Sequence, residues 1–333
     1  MNITEFIKDF FSSRKNLVLI LLISLLLLPA ITRDYYILTV LIFINVGAVL
    51  GASWDILAGV TGIFSFGQAF FFGTAGYISA LLNLKIGLPV WLSIPLGGAF
   101  GVVVGLLFGI PSLRLKGPYF TIMSLLFPTT VVGIIYTFPS LSGGEAGIYG
   151  LDPISSDIAV TYLLSALLML GSIFILMRIS SSRFGLIFRS IRDNADIAET
   201  TGINTTKYKF LSFAISGLFA GLAGAFNAHL LLSISPFIFG TSYSFSAILY
   251  SALGGMGTIF GAVGGAFILS ILNEALRGLA EFRLLIYAIV MVLIFRFLPE
   301  GIFRRISIHF KVRLGTWGEI KKLKKRSNHG TNL

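Results

Sequence analysis

Long apolar runs separated by short polar intervals make up most of the chain. Runs of this kind suit helices crossing a hydrocarbon core about 30 Å thick, which takes roughly 20 residues at 1.5 Å each. They predict segments over approximately 17–31, 36–54, 62–84, 88–110, 118–138, 160–178 and 210–232, a bipartite stretch 244–276, and 284–298. Barrel strands would alternate apolar and polar residues, and these runs are continuous. The expected fold is an all-α polytopic membrane protein. It has about ten transmembrane segments if 244–276 makes two short crossings, or eight plus a re-entrant segment if that stretch dips in and returns.

Composition sharpens this picture. Only 12% of the 333 residues are charged and 56% are hydrophobic, against about 25% charged in a soluble domain. The net charge of +11 sits largely at segment ends, where positive residues mark the cytoplasmic side. Arg114 and Lys116 place their short turn inside. The stretch from Arg304 onward holds nine Lys and Arg against Glu319 alone and reads as a basic cytoplasmic tail over 304–333, behind a permease body over 1–303. Loop 139–159 carries Glu145, Asp152 and Asp157 with no Lys or Arg, so it fits outside. Both termini are then cytoplasmic. A single crossing at 244–276 would put the basic tail outside and is rejected. Anionic lipid, not nucleic acid, accounts for the positive surplus.

Cysteine is absent, which excludes disulfides and thiol chemistry, and three scattered histidines predict no metal site. Lys8, Arg14 and Lys15 before Leu17–Leu28 resemble a signal peptide, but the hydrophobic segments continue beyond Pro29, which favours an uncleaved first helix.

Residues 178–209 form the one long polar stretch among the apolar runs, between predicted segments six and seven. Arg178, Arg183, Arg189, Arg192, Lys207 and Lys209 outnumber Asp193, Asp196 and Glu199 there, so the stretch is cytoplasmic. Phe188, Ile191, Ala195 and Ala198 follow helical spacing, and Gly202 suits a left-handed helix stop. A short helix over about 185–202 is expected, with Arg189, Arg192, Asp193 and Glu199 as an edge for ion pairs with a partner. The alternative is a solvated connector.

Glycines interrupt two apolar segments. Gly59, Gly62, Gly67, Gly73 and Gly76 lie in 54–77 with Ser65 and Gln68 among them, and Gly254, Gly255, Gly257, Gly261, Gly264 and Gly265 lie late in the chain. Each glycine inside a helix costs about 1 kcal/mol against alanine. So many imply either close packing or a broken helix, and broken helices are tolerated where they line a cavity. Asp55 reads as an interfacial N-cap, His229 as a solvated histidine near a helix end, and Glu274 with Arg277 as an ion pair one turn apart. Gly217-x-x-x-Gly221 reads as a helix contact. No phosphate-cradling G-x-x-x-x-G-K-[ST] motif occurs, so ATP hydrolysis by that route would belong to another polypeptide.

Several strings carry a resemblance. SRFGLIFRSIRDNADIAETTGIN (182–204), Lys207-Tyr208-Lys209, FAISGLFAGLAGA (213–225), WDILAGVTGIFSFGQAFFFGTAGY (54–77), LKGPYFTI (115–122), SGGEAGI (142–148) and SALGGMGTIFGAVGGA (251–266) occur in order over about residues 36–300. The chain resembles the permease subunit of branched-chain amino-acid ABC importers. The resemblance implies that the 182–204 string is a coupling helix, similar to the importer pattern E-A-A-x-x-x-G. Asp196 falls at the acidic position, Ala198 at the second alanine and Gly202 at the glycine, while Ile197 replaces the first alanine and no apolar-proline ending follows. It implies ATPase coupling through Arg189, Arg192, Asp193, Asp196, Ala198, Glu199 and Gly202. It also implies a translocation pathway at Ser65, Phe66, Gly67, Gln68, Gly73, Tyr119, Gly254 and Gly255.

The implied partners are a second related permease, two ATP-binding cassette subunits that use the ATP, an extracytoplasmic substrate-binding protein and the lipid bilayer. This chain would bind no cofactor. The implied cargo is a branched-chain or other apolar amino acid, or a small amide. An ion-coupled secondary transporter remains the alternative, with Glu274 as its one candidate carboxylate, and a membrane scaffold is a further one. No nucleophile, base or metal set points to an enzyme.

Overall fold

A computed structural model describes residues 34–112, 115, 117–275 and isolated positions between 285 and 296. The predicted first segment 17–31, the segment 284–298 apart from those isolated positions, the tail 304–333, and Arg114, Lys116 and Arg277 lie outside the described residues. Within them the regular structure is helical apart from one two-residue strand pair. Six helical stretches are long and apolar enough to cross a membrane: Tyr35–Val60, Gln68–Ile86, Val90–Pro111, Pro118–Thr137, Ile158–Ser181 and Thr205–Leu231. Each overlaps one of the six long segments expected there.

The first is α1 (Tyr35–Asp55), capped by Asp34, whose side chain accepts from the Tyr36 N–H. It runs into a π-helical turn, Ile56–Val60. Gly62, at φ +81°, then ends the helix. Residues 61–67 are not helical, and α2 (Gln68–Ile86) begins six residues later than the hydropathy pattern suggests. The chain continues through α3 (Val90–Ser112), α4 (Pro118–Ser124), α5 (Leu126–Thr137) and the short α6 (Pro139–Ser142). The expected segment 118–138 is thus interrupted at Leu125.

After β1 (Ile148–Tyr149) come α7 (Ile158–Ser181), two short helices α8 (Arg183–Asp193) and α9 (Ala195–Thr200), and α10 (Thr205–Leu231). β2 (Ser233–Ile234) pairs antiparallel with β1, Ile148 opposite Ile234. A 3₁₀ turn, Pro236–Phe239, leads to α11 (Thr241–Gly254) and α12 (Gly261–Ala275).

Small residues set the packing. A methyl group on Gly101 would collide with the Gly217 carbonyl, and one on Gly217 with the Gly101 carbonyl. Gly221 likewise faces Gly98 and Gly101, so the Gly217/Gly221 pair lets α10 and α3 meet backbone to backbone. Close approach through small residues is how membrane helices gain dispersion contact without a hydrophobic driving force. Polar cross-links add direction: Asn45 Nδ2 on α1 donates to Ser165 Oγ on α7 at 2.9 Å, both buried.

The bipartite stretch is a helix hairpin. Gly254 lies against Gly261, and Gly265 against the Tyr250 backbone, so α11 and α12 run antiparallel in close contact. Their 14 and 15 residues give about 21 and 22 Å of helix each, short of a hydrocarbon core of about 30 Å. α12 runs antiparallel to α1. Its first turn lies near Gly51, and its last turn reaches Tyr36, whose hydroxyl donates to Glu274 Oε1.

Candidate functional site

The polar stretch is two helices, not the single one expected over 185–202. Ser182 caps α8 through Phe184 N, and Asn194, in an extended conformation, caps α9 by accepting from Ile197 N at 3.0 Å. Asn194 competes with the helix for its own backbone, as Asn and Ser side chains do, and splits it. Gly185, Phe188, Ile191 and Ala198 are buried against the body of the protein. Gly202, at φ +85°, stops α9 as anticipated, with Ile203 N donating to Ala198 O at 3.1 Å.

The charged edge is not laid out as a row facing outward. Arg189 folds back and donates from Nη2 to the carbonyl and hydroxyl oxygens of Ser180, each at 3.1 Å. Arg192 turns inward and donates from Nη1 to Gly59 O at 2.9 Å, while its Nη2 pairs with the exposed Asp193 at 3.2 Å. Glu199 accepts from the Thr205 hydroxyl, tying α9 to the start of α10. Asp196 and Ile197 are exposed, Ile197 at 61%, and with Leu186 they give the pair an outward surface of mixed character.

The Gly59 carbonyl that holds Arg192 belongs to the π turn, and next to it sits a residue the sequence misjudged. Asp55 is no interfacial cap but a buried carboxylate, 1% exposed. It accepts from Ser251 Oγ at 2.6 Å and Gly257 N at 2.7 Å through Oδ1, and from Ile259 N at 2.8 Å through Oδ2. Those donors come from the end of α11 and the hairpin tip. A carboxylate is acceptor-only and can satisfy several N–H groups at once, which suits a tight backbone turn lacking partners of its own. The tip holds Gly255 at φ +107° and Gly257 at φ +79°. Gly59 and Gly62 are needed for a second reason: a methyl on Gly59 would strike Asp55 and Gly257, and one on Gly62 would meet the Arg192 side chain. Three separated pieces of chain, 55–62, 192 and 251–259, therefore meet at one joint. π turns recur where a helix is bent for use.

The other residues implied by the resemblance are packed, except Tyr119. Gly67 leaves room for the Phe108 ring and Gly73 for Phe239. Ser65 is buried, its carbonyl accepting from Trp54 Nε1 at 2.7 Å, and Phe66 N donates to Ser124 Oγ at 2.8 Å. Gln68 donates from Nε2 to Ser53 Oγ at 2.6 Å and Ser216 Oγ at 3.3 Å, and its Oε1 has no partner. Gly254 lies in the hairpin contact and Gly255 at its tip. Tyr119 is 74% exposed. None of these eight lines either of two cavities. One, of about 730 Å³, lies between residues 61–64, the start of α4, and Arg192, Asp196 and Glu199. The other, of about 620 Å³, runs along α1 from Tyr36 to Leu50.

With this geometry in view, comparison with known proteins is decisive for class. A family model described as "Branched-chain amino acid transport system / permease component" matches residues 36–295. The chain belongs to that family. It is 28% identical over 297 residues to the high-affinity branched-chain amino acid transport system permease protein LivM of Salmonella typhimurium, covering 80% of this chain and 70% of LivM. It is 27% identical over 262 residues to the nucleoside ABC transporter permease protein NupC of Lactococcus lactis, covering 68% and 80% of the two. It is 26% identical over 280 residues to the ribose import permease protein RbsC of Haemophilus influenzae, covering 79% and 84%. No solved structure matches it. This permease is therefore a multi-pass protein of the prokaryotic inner membrane and an ABC transporter subunit, as its sequence strings imply.

The permease holds a second polar cluster that its sequence hides. His229 is 1% exposed, not solvated. Its Nδ1 donates to Asp152 O at 2.9 Å, and Nε2 lies 3.1 Å from the hydroxyls of both Ser79 and Ser93. The Nδ1 donor leaves Nε2 of a neutral ring as an acceptor. Asn83 completes the cluster: Nδ2 donates to Asp152 Oδ2 at 2.8 Å, and Oδ1 accepts from Asp152 N at 3.0 Å. The cluster pins the acidic loop onto α2, α3 and α10. Among the described residues no group of His, Cys, Asp and Glu has the makings of a metal site.

Proposed function

We propose that this chain is the membrane permease subunit of an ATP-driven importer that moves branched-chain or other apolar amino acids, or small amides, into the cytoplasm. It pairs with a second related permease, is driven by two ATP-binding cassette subunits that bind and hydrolyse the ATP, and receives its cargo from an extracytoplasmic binding protein. The observation that carries this reading is the α8–α9 pair. Its inner face is clamped to the body through Arg192 and Gly59 O, and its outer face offers Leu186, Ile197 and Asp196 to a partner. A connector with no partner has no need of either. LivM supports the amino-acid cargo, while NupC and RbsC carry other cargo on related permeases.

The joint supports a mechanism. Movement of α8–α9 by the ATPases is passed by Arg192 to the π turn and by Asp55 to the hairpin tip. The docking edge is accordingly Leu186, Ile197, Asp196 and Asp193, with Ala198 and Gly202 shaping α9. Arg192, Arg189 and Glu199 act as inward struts. A carboxylate-driven alternative is left with Glu274 alone, since Asp55 is committed to three donors.

Ten crossings with both termini cytoplasmic fit the geometry better than a re-entrant loop. The tip lies at the face of α8–α9, whereas Glu274 lies beside Tyr36 at the opposite end of α1. Residues 232–240 supply the depth that α11 lacks. The broader division, a permease body to 303 and a basic tail beyond, accompanies this topology.

The test is co-purification of the tagged chain with identification of bound subunits, followed by ATP-driven leucine uptake in vesicles. Two ATPases and a second permease are expected. Arg192→Ala is expected to keep the ATPases bound and hydrolysing while uptake falls at least tenfold. Recovery of the chain without any ATPase would sink the reading, and full uptake by Arg192→Ala would sink the strut.

A further inference from the structure

The cavity of about 620 Å³ along α1 is the feature the importer reading leaves unexplained. Its size lies within the roughly 300–1,000 Å³ of small-molecule sites. Five helices wall it, and its lining is divided by chemistry. Phe43, Val46 and Leu50 from one stripe of α1 and Phe72 from α2 form an apolar wall. Asn227 of α10, Ser242 and Ser246 of α11, and Ser270, Asn273 and Glu274 of α12 supply the polar groups.

Two of these polar groups are unsatisfied. Asn227 is 3% exposed, and its Nδ2 has no hydrogen-bond partner; the buried Oδ1 of Asn273 has none either. Buried amides are nearly always paired, and each exception calls for an explanation. Here the residues that carry a lone donor and a lone acceptor both line one cavity, beside a carboxylate that accepts from the Tyr36 hydroxyl. A solute completing this set presents an acceptor to Asn227 and a donor to Asn273 and Glu274. It also carries an apolar part for the Phe43–Phe72 wall.

We infer that the cavity is a solute station inside the permease, holding a small zwitterion with an apolar side chain. The solute carboxylate accepts from Asn227 Nδ2 and the Ser242 and Ser246 hydroxyls. Its ammonium donates to Asn273 Oδ1 and Glu274, and its side chain lies on Phe43, Val46, Leu50 and Phe72. This rests on the importer reading and adds to it a place where this chain itself contacts the cargo. That place lies at the Tyr36 end of α1, away from α8–α9, where a binding protein delivers. Gly47 and Gly51 let Tyr250 close its inner end.

The chain has no cysteine, so in single Ser246→Cys and Ser270→Cys variants of the complete complex the one thiol of this subunit lies at the cavity, and labelling is read on this subunit after it is separated from its partners. Their rates of modification by a small thiol reagent are measured with and without millimolar L-leucine, leucinamide (no carboxylate) or 4-methylpentanoate (no ammonium). L-Leucine is expected to slow modification at both positions at least threefold, and each analogue to slow it less. Asn227→Ala, or the milder Asn227→Ser if assembly suffers, is expected to abolish the protection while ATP hydrolysis is kept. Unchanged rates with leucine, equal slowing by the analogues, or protection surviving loss of the Asn227 amide each overturn the station. Leucine uptake without protection removes the station and leaves the importer reading standing. No ATP-driven uptake removes both.

Discussion

At the scale of single residues, Asp55 and Arg192 do most to join distant parts of this permease. Each is a charged side chain spent on backbone groups. Asp55 satisfies two tip N–H groups and a serine hydroxyl, and Arg192 binds a carbonyl next door. Hydrogen bonds to charged groups contribute about 1.5–3 kcal/mol each, and an unmatched buried donor costs a comparable amount. In Asp55→Asn one carboxylate oxygen becomes an NH₂. Because both carboxylate oxygens accept in the native joint, one amide orientation faces Ile259 N with a donor and the other faces Gly257 N and Ser251. We expect Asp55→Asn to lower stability by about 2 kcal/mol. Ser251→Ala, which removes one donor and leaves the carboxylate its other two, should cost about half as much. Thermal unfolding in detergent reads the difference, and equal melting temperatures for Asp55→Asn and the native chain would show that the joint contributes nothing. Neither role was legible beforehand. A lone Asp at the end of an apolar run looks like a cap, and its partners lie about 200 positions away in sequence. His229 was misjudged for the same reason.

At the scale of elements, glycine placement separates positions that need a bare backbone from positions that merely lack a side chain. In the hairpin, a methyl on Gly254 would collide with Gly261, and one on Gly265 with the Tyr250 carbonyl. Gly171, within α7, has nothing within 4 Å of where a Cβ would stand. Gly254→Ala is therefore expected to separate α11 from α12 and cost at least about 3 kcal/mol, since packed backbone cannot move aside as a flexible side chain does. Gly171→Ala should be neutral or stabilise by up to about 1 kcal/mol. Fluorescence-detected size exclusion after heating ranks the two variants, and similar behaviour would refute this reading of the hairpin. Along the sequence both are glycines within apolar runs, with nothing to rank them. It did anticipate the helical spacing of α8–α9 and the left-handed stop at Gly202. It missed the break at Asn194, because an Asn inside an amphipathic pattern is compatible with both a helix interior and a cap.

At the scale of the whole molecule, the two ends of the helix bundle carry different groups. The Arg192 joint and Ile197 lie together at one end of α1, while the β1–β2 pair and the acidic loop pinned by His229 lie toward the far end of α10. From the charge pattern we propose that the first face is inside and the second outside. Single cysteines at exposed positions test this in a chain that has none. Tyr149→Cys should react in intact cells with a membrane-impermeant thiol reagent. Ile197→Cys should react only after permeabilisation, and should be shielded when the ATPases are bound. Reaction of Ile197→Cys in intact cells would invert the topology and with it the importer mechanism.

Hydropathy alone determined that this chain crosses a bilayer repeatedly as helices. In lipid every backbone polar group must be satisfied within its own segment, so apolar length translates directly into a span. Ordered strings determined the family, and charge determined the expected sides. The register of the spans, the joint at Asp55, the inward turn of Arg192 and the two unsatisfied amides at the α1 cavity were decided only by tertiary structure. Each depends on which residues from remote segments arrive at the same depth. That is settled by close packing of small residues and by pairing of the few buried polar groups, neither of which leaves a periodic trace along the chain.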